Sequence, residues 1–383
     1  MNLRLNTFKN PKSLKVLGLN FIIMKKHFLT LGLLLTVLPF GCNKNDDKNG
    51  HPVVEDSFIR AADVSFLPEI ESENTIYFNA DNVAENVLLT LKNAGCNTIR
   101  IRLWKDPAGG RSGMAEVKTL SQRAQQLGLK VWISVHYSDT WADPGSQHTP
   151  LQWQAMNFTQ LKAAVEAYTS EILTQLDPDI IQIGNEINSG FMWPMGHLYD
   201  NQSQSLQLLT AATAVVRAEA PDTKIMLHYA GIEGATYFFN LIHAIDYDYI
   251  GLSYYPIFHG KDLALLTSTI NTLGQTHGKK VLIAETAYPF TLGYDDFTNN
   301  IVGLENQLIP GIPSTPAGQQ TFLQHIRNIV ANSQYGAGFA YWGGEWIAYR
   351  GAEATNGSSW ENQALWDFDN KALPVMGVFK KEE

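Results

Sequence analysis

A chain of 383 residues can hold one large barrel or two average domains, and with 45% hydrophobic and 17% charged residues it can bury a sizeable core, which excludes wholesale disorder. A formal net charge of −9, with no lysine or arginine block in the main body of the chain, argues against nucleic acid as a partner. The same charge would repel a polyanionic polysaccharide and is indifferent to a neutral one.

The N-terminal stretch reads as an export signal. From Met24 the chain runs MKKHFLTLGLLLTVLPFGC, a basic head, an apolar run from Phe28 to Leu38, and a cysteine after a small residue. That run is shorter than the roughly 20 apolar residues a membrane-spanning helix needs. The junction Leu38-Pro39-Phe40-Gly41-Cys42 resembles a bacterial lipoprotein cleavage site, with Phe40 a looser fit than a small residue. Residues 1–41 are therefore assigned to a lipoprotein-type signal peptide, with Met24 a second candidate start. Residues 42–57, rich in Asn, Lys, Asp and Gly, are assigned to a flexible tether, and 58–383 to one folded domain. A lipidated Cys42 implies a lipid anchor on the bacterial cell envelope, at the outer membrane or cell surface. The remaining cysteine, Cys96, has no activating base near it in sequence and is expected to be a small core residue.

From Phe58 onward, short apolar β-branched runs alternate with segments of helical period. The predicted strands are 58–64, 97–103, 130–136, 179–185, 224–229, 248–254, 279–285 and 336–342. Between the first two, Val83, Val87, Leu88, Leu91 and Ala94 mark one helical face that Gly95 closes. Leu161, Val165, Tyr168, Ile172 and Leu176 repeat the pattern until Asp177-Pro178 stops it, and further helices are drawn at 114–127, 203–220, 259–277 and 317–335, with a short one near 235–246. Eight strand-helix units predict an α/β fold of the (β/α)8 TIM-barrel type, and no Gly-x-Gly-x-x-Gly follows the first strand to suggest a dinucleotide fold.

In such a barrel the C-terminal strand ends line the active site. Asp63 closes the first strand, Arg100 and Arg102 sit in the second, His136 ends the third, Asn185-Glu186 the fourth, Tyr254-Tyr255 the sixth, Glu285 the seventh and Trp342 the eighth. Each is unremarkable alone, and a strand-end glutamate is usually a surface or salt-bridged residue. Together they make a ring that contains the two carboxylic acids glycoside hydrolysis requires. A carboxylate held by an arginine and a tyrosine suits a nucleophile, whereas one in drier surroundings has a raised pKa and suits an acid. Nine Trp and fifteen Tyr exceed what packing needs, and flat rings with polar edges suit the faces of sugars.

Gly184-Asn185-Glu186-Ile187-Asn188 with Ala284-Glu285-Thr286 resembles the fourth-strand and seventh-strand signature of the retaining hydrolase clan that includes many cellulases, mannanases and galactanases. Four further stretches resemble the arabinogalactan endo-β-1,4-galactanases of glycoside hydrolase family 53 over about residues 58–380. They are Thr98-Ile99-Arg100-Ile101-Arg102-Leu103-Trp104, His136-Tyr137-Ser138-Asp139-Thr140-Trp141-Ala142-Asp143-Pro144-Gly145, Gly251-Leu252-Ser253-Tyr254-Tyr255-Pro256 and Glu361-Asn362-Gln363-Ala364-Leu365-Trp366-Asp367-Phe368.

That resemblance implies endo-cleavage of β-1,4-galactan, with Glu186 as acid/base, Glu285 as nucleophile, Asn185 on the substrate 2-hydroxyl, and no cofactor for the chemistry; the chain is expected to act as a monomer, a state the sequence does not itself settle. The resemblance also implies an arginine near Glu285 and a sixth-strand tyrosine bonded to it, Tyr254 or Tyr255. Arg100 and Arg102 share a face, and Arg102, nearer the strand end, is assigned the role. His136 and Asp139 are expected on sugar hydroxyls, Asp139 with the alternative of a loop cap. Trp342 is the expected stacking floor, with Trp141, Trp193 and Trp346 weaker candidates. Some family members bind calcium, and Asp296, Thr298, Asn300, Ser358 and Glu361 match such a ligand set, although Tyr294 stands where its first oxygen would be. The alternatives are a mannanase or β-glucanase of the same clan, or a surface glycan-binding protein, which would have no use for both glutamates.

Overall fold

The computed structural model describes residues 57–382, within the compact unit Glu55–Glu383. The expected signal peptide, Cys42 and the expected tether up to residue 56 lie outside the described residues.

Eight parallel strands close a barrel in sequence order. They are β1 Ile59–Asp63, β2 Thr98–Leu103, β3 Lys130–Val135, β4 Ile180–Ile183, β5 Lys224–Ala230, β6 Tyr249–Ser253, β7 Lys280–Thr286 and β8 Gly336–Tyr341. All eight predicted strands are present. Strand alternation sorts their side chains into two cores. Ile99, Ile101 and Leu103 of β2 face the helices, as do Val131, Ile133 and Val135 of β3. The barrel interior is apolar only at its lower level, where Ile59, Ala61, Trp132, Ile180, Met226, Leu282 and Ala340 pack together. Each fully buried large side chain contributes about 1.5–3 kcal/mol, so this plug holds the strand bases rigidly.

The helices are α1 Leu67–Ser72, α2 Val87–Ala94, α3 Met114–Gln126, α4 Phe158–Leu176, α5 Gln202–Glu219, α6 Ala235–Leu241, α7 Pro256–His259, α8 Leu263–His277 and α9 Pro316–Ala331. α4 starts in a capping box of Asn157 and Gln160 and stops at Asp177, whose φ of 44° ends the helix before Pro178. Two expectations need correction. Val83 is not on the α2 face but 58% exposed, because Asn86 caps the Leu88 N–H and starts the helix after it. The single helix expected over 259–277 is broken at Gly260 (φ 84°), and Asp262 caps a new start by accepting from the N–H groups of Ala264 and Leu265. Cys96 is buried and donates to the Thr98 carbonyl, and burial pushes its thiol up to about 12, so it stays protonated.

Two backbone departures aim the functional side chains. After β4 the chain turns through Gly184 (φ 78°) and Glu186 (φ 48°). A Cβ at position 184 would lie 2.4 Å from Ile187 Cγ2, so glycine is required there on two counts. In β7, Leu282 and Ala284 face inward, and strict alternation would turn Glu285 toward the helices. A bulge intervenes: Leu252 pairs with Ile283 but Ser253 with Glu285, and the glutamate is thereby turned into the barrel mouth.

Candidate active site

Above the apolar plug the barrel interior becomes a polar layer centred on Arg100. Its Nη1 donates to Asp63 Oδ2 at 2.6 Å, and its Nη2 donates to Glu285 Oε1 at 2.7 Å, Asn185 Oδ1 at 3.0 Å and Ser134 Oγ at 3.1 Å. Removing one partner of such a buried pair strands the other charge at a cost of about 3–5 kcal/mol. The second oxygen of Glu285 accepts from the Tyr255 hydroxyl at 3.0 Å. Burial pushes the Glu285 carboxyl upward, and the Arg100 charge together with the Tyr255 hydrogen bond pulls it back.

Several assignments change on this geometry. Arg100, not Arg102, holds Glu285. Arg102 lies one strand layer higher, where its guanidinium packs within 4.6 Å of the Phe66 ring, 4.6 Å of Trp104 and 4.1 Å of Trp141, and its Nε donates to Ser112. Asp63 does not reach the cleft, since its oxygens are taken by Arg100 and by the N–H and hydroxyl of Ser65. Tyr254 is buried with its hydroxyl on the Gly260 carbonyl, which leaves Tyr255 as the tyrosine on Glu285. Asp139 is the loop cap, one oxygen accepting from the Asp106 N–H and the other from that of Leu151.

Glu186 stands across the mouth from Glu285. One oxygen of each carboxylate lies within 4.8 Å of the other, and a ring nitrogen of His228 lies within that distance of both. Ser253 Oγ donates to Glu186 Oε1 at 2.5 Å and contacts His228 Nε2 at 2.9 Å. Burial first, and then the negative charge of Glu285, push the Glu186 carboxyl well above the usual carboxylate range, against the pull of Ser253 and Arg100. Burial thus pushes both acids upward, but Arg100 and Tyr255 oppose it at Glu285 whereas the charge of Glu285 adds to it at Glu186, which favours Glu285 as the anion and Glu186 as the acid.

Around them opens a cleft of about 350 Å³. Trp342 stands partly buried in it, edge-on to Trp360 with centroids 4.8 Å apart, and Trp141, 38% exposed, lines the same side. Asn185 lines the cleft while its Nδ2 donates to the Ala142 carbonyl. The His136 Nδ1 accepts from the Ala142 N–H, and burial and the two arginines keep that ring neutral. Trp193 is outside this cleft, with its indole N–H on the Ser189 carbonyl.

A family model described as Glycosyl hydrolase family 53 matches residues 59–379. The chain belongs to glycosyl hydrolase family 53. It is 30% identical to the endo-beta-1,4-galactanase of Bacillus subtilis (strain 168), with 85% of this chain and 86% of that protein covered. It is 33% identical to the arabinogalactan endo-beta-1,4-galactanase of Cellvibrio japonicus (strain Ueda107), covering 85% of this chain and 91% of that one. The solved GH53 catalytic domain of Ignisphaera aggregans superimposes with a TM-score of 0.79 at 35% identity, over 86% of this chain and 97% of that domain.

In this family 53 hydrolase the five residues matched to a cation site lie between the loops after β7 and β8. Asp296 and Thr298 are buried and Asn300 partly so, while the intervening Phe297 and Asn299 are exposed, so the alternating run does turn its oxygens inward. Asp296 Oδ2, Asn300 Oδ1 and Glu361 Oε2 are buried without a hydrogen-bond partner. Burial, with Asp296 and Asp295 nearby, pushes Glu361 up to about 7. A Cβ on Gly357 would fall 2.2 Å from Asp296 Oδ2. Ser358 is already engaged, donating to the Trp346 carbonyl and accepting from the Trp360 N–H.

Reading the sequence missed Trp360, Phe258, Gln182, His228 and Ser253. The last three carried a signal: they are polar residues at inward parity in strands four, five and six, like Arg100 in strand two.

Proposed function

We propose that this hydrolase is an endo-acting β-1,4-galactanase working with retention, Glu285 as nucleophile and Glu186 as acid/base. The observation that carries the mechanism is the 4.8 Å limit on the separation of their carboxylate oxygens. Retaining enzymes hold the two groups about 5–5.5 Å apart, whereas inverting ones leave about 6.5–9.5 Å for a water. In the first step a Glu285 oxygen attacks the anomeric carbon as the glycosidic C–O bond breaks, and the departing oxygen takes the Glu186 proton. In the second, water gives a proton to Glu186, its oxygen bonds the anomeric carbon, and Glu285 leaves as carboxylate. Trp342 offers the flat face for a sugar, Asn185 and His136 the polar edges.

The galactan preference rests on the names of the relatives. Mannan and β-glucan would meet the same two acids, so the deciding experiment is to incubate the protein separately with unbranched β-1,4-galactan, mannan and cellulose. Oligosaccharide release from galactan alone is expected, and release from mannan or cellulose without galactan would overturn the substrate reading.

A calcium ion fits the loop site, because three orphaned buried oxygens on Asp296, Asn300 and Glu361 supply hard ligands with nothing else to bind. Its role would be to tie the two loops, with no part in bond cleavage. A site filled at 100 times its Kd adds about 2.7 kcal/mol to stability. Chelation should therefore lower Tm by a few degrees in wild type, reversibly on adding calcium, and leave Glu361→Gln unaffected. An unchanged wild-type Tm would remove the site from the proposal.

The N-terminal signal adds export and acylation at Cys42. Cys42→Ala should move the protein from the membrane fraction to the soluble one at unchanged specific activity, and retention in the membrane would count against lipidation.

A further inference from the structure

A histidine and a serine below the cleft are arranged to act on Glu186. His228 belongs to β5 and Ser253 to β6, and both are fully buried. The tautomer of His228 follows from its partners. Its Nδ1 accepts from the backbone N–H of Glu186 at 3.3 Å, whose single hydrogen the chain fixes; Gln182 Nε2, also 3.0 Å from Nδ1, divides its two hydrogens among Nδ1, the Gly184 carbonyl and Asn185 Oδ1, and Asn185 Oδ1 lies 3.2 Å from Nδ1 as the one acceptor there. The Gln182 amide is oriented by Arg100, which donates to its Oε1 from Nε and Nη2. Nδ1 is thus an acceptor, and the ring proton sits on Nε2, 2.9 Å from Ser253 Oγ. Because that oxygen accepts from the ring, its own hydrogen is left to donate to Glu186 Oε1. Among the described residues no group donates to Glu186 Oε2.

On the reading of Glu186 as acid/base, we propose that His228 and Ser253 are positioning residues. They form a one-directional hydrogen-bond relay that keeps Oε1 as an acceptor and so confines the transferable proton of Glu186 to Oε2. The consequence is orientational. A carboxylic acid free to protonate either oxygen would present the wrong one part of the time, and the relay removes that choice before substrate arrives. It also stabilises the carboxylate formed after proton transfer, since the Ser253 hydrogen bond strengthens as charge appears on Glu186. The relay holds its direction while His228 stays neutral, which burial and the charge of Arg100 enforce. The charged and titratable groups that bear on Glu186 are Glu285 from β7, Arg100 from β2, Asp143 from the loop after β3, and Tyr255 after β6, with His259 acting on His228.

The test compares Ser253→Ala, Ser253→Thr and Glu186→Ala in the full-length enzyme. Each is assayed on galactan and on an aryl β-galactobioside whose dinitrophenolate leaving group needs no proton. Ser253→Ala should lower kcat/KM on galactan about ten- to a hundredfold and spare the activated substrate, because only proton delivery is impaired. The alkaline limb of its galactan pH profile should move up by about one unit, the loss of one hydrogen bond to the anion. Ser253→Thr, which keeps the hydroxyl, should restore both. An unmoved alkaline limb in Ser253→Ala, an equal loss on both substrates, or a threonine variant no better than alanine would each overturn the relay. Glu186→Ala separates this from the reading beneath it. If that variant loses equal activity on both substrates, Glu186 is not the acid and the relay falls with it; if it spares the activated one, failure in the Ser253 variants belongs to the relay alone.

Discussion

Glu285→Ala is expected to reduce kcat/KM by about 10⁵-fold or more on galactan and on activated aryl galactosides alike. The loss is indifferent to the leaving group because the missing event is attack on the anomeric carbon, which every substrate needs whether or not its leaving group must be protonated. Glu186, whose carboxylate lies within 4.8 Å, is assigned to protonating the leaving oxygen on the proposed mechanism, and Asp63 is held by Arg100 and Ser65. The alanine also leaves the guanidinium of Arg100 and the hydroxyl of Tyr255 facing a cavity of roughly carboxylate size. Azide should fill that cavity and attack directly, so the rescued product should be the α-galactosyl azide, with inverted configuration. Formation of the β-azide from this variant would exchange the roles of the two glutamates.

Glu186→Ala is expected to cost about 10²–10⁴-fold on galactan, the range for loss of a general acid, and far less on dinitrophenyl substrates. With such a substrate the glycosyl-enzyme should form and accumulate, because the water of the second step has lost its base. Azide needs no base, and it should restore turnover and give the β-galactosyl azide. The pH profile provides a second measurement. On the proposed roles the wild type requires Glu186 protonated and Glu285 ionised, so kcat/KM should fall as pH rises through the Glu186 value and as pH falls through that of Glu285. Burial and the charge of Glu285 push the Glu186 value upward, which carries the alkaline limb above the usual carboxylate range. In Glu186→Ala on the activated substrate that alkaline limb should vanish while the acid limb persists. A profile unchanged from wild type would mean that another group is the acid.

Both predictions depend on residues that a reading of strand ends finds directly, and the reason is local. A glutamate after an apolar run of strand length has few places to go in a barrel, so Glu186 and Glu285 could be named without coordinates. Their supporting groups were less accessible. Arg100 and Arg102 share parity, and only the height of each in the closed barrel separates the one that grips Glu285 from the one enclosed by Phe66, Trp104 and Trp141. Tyr254 and Tyr255 are adjacent, and the choice between them depends on where the chain turns into α7. Asp63 and Asp139 are polar residues at strand or loop ends, but their oxygens are spent on Arg100, Ser65 and two loop N–H groups.

The amino-acid sequence by itself determined the eight strands, the order of strand and helix, the two acids and the alternating oxygens of the loop after β7. All of these are written in spacings of a few residues, which periodicity and capping rules read without knowing what lies across the barrel. The tertiary structure decided the bulge that turns Glu285 inward against strict alternation, because a bulge is a mismatch of register with β6 and has no signature in β7 alone. It decided equally which arginine is the counter-ion and that His228 reaches Glu186 through Ser253. Those contacts join residues from different strands: closure of the barrel brings Arg100 of β2 to Glu285 of β7, and the register of β4, β5 and β6 puts Glu186, His228 and Ser253 side by side.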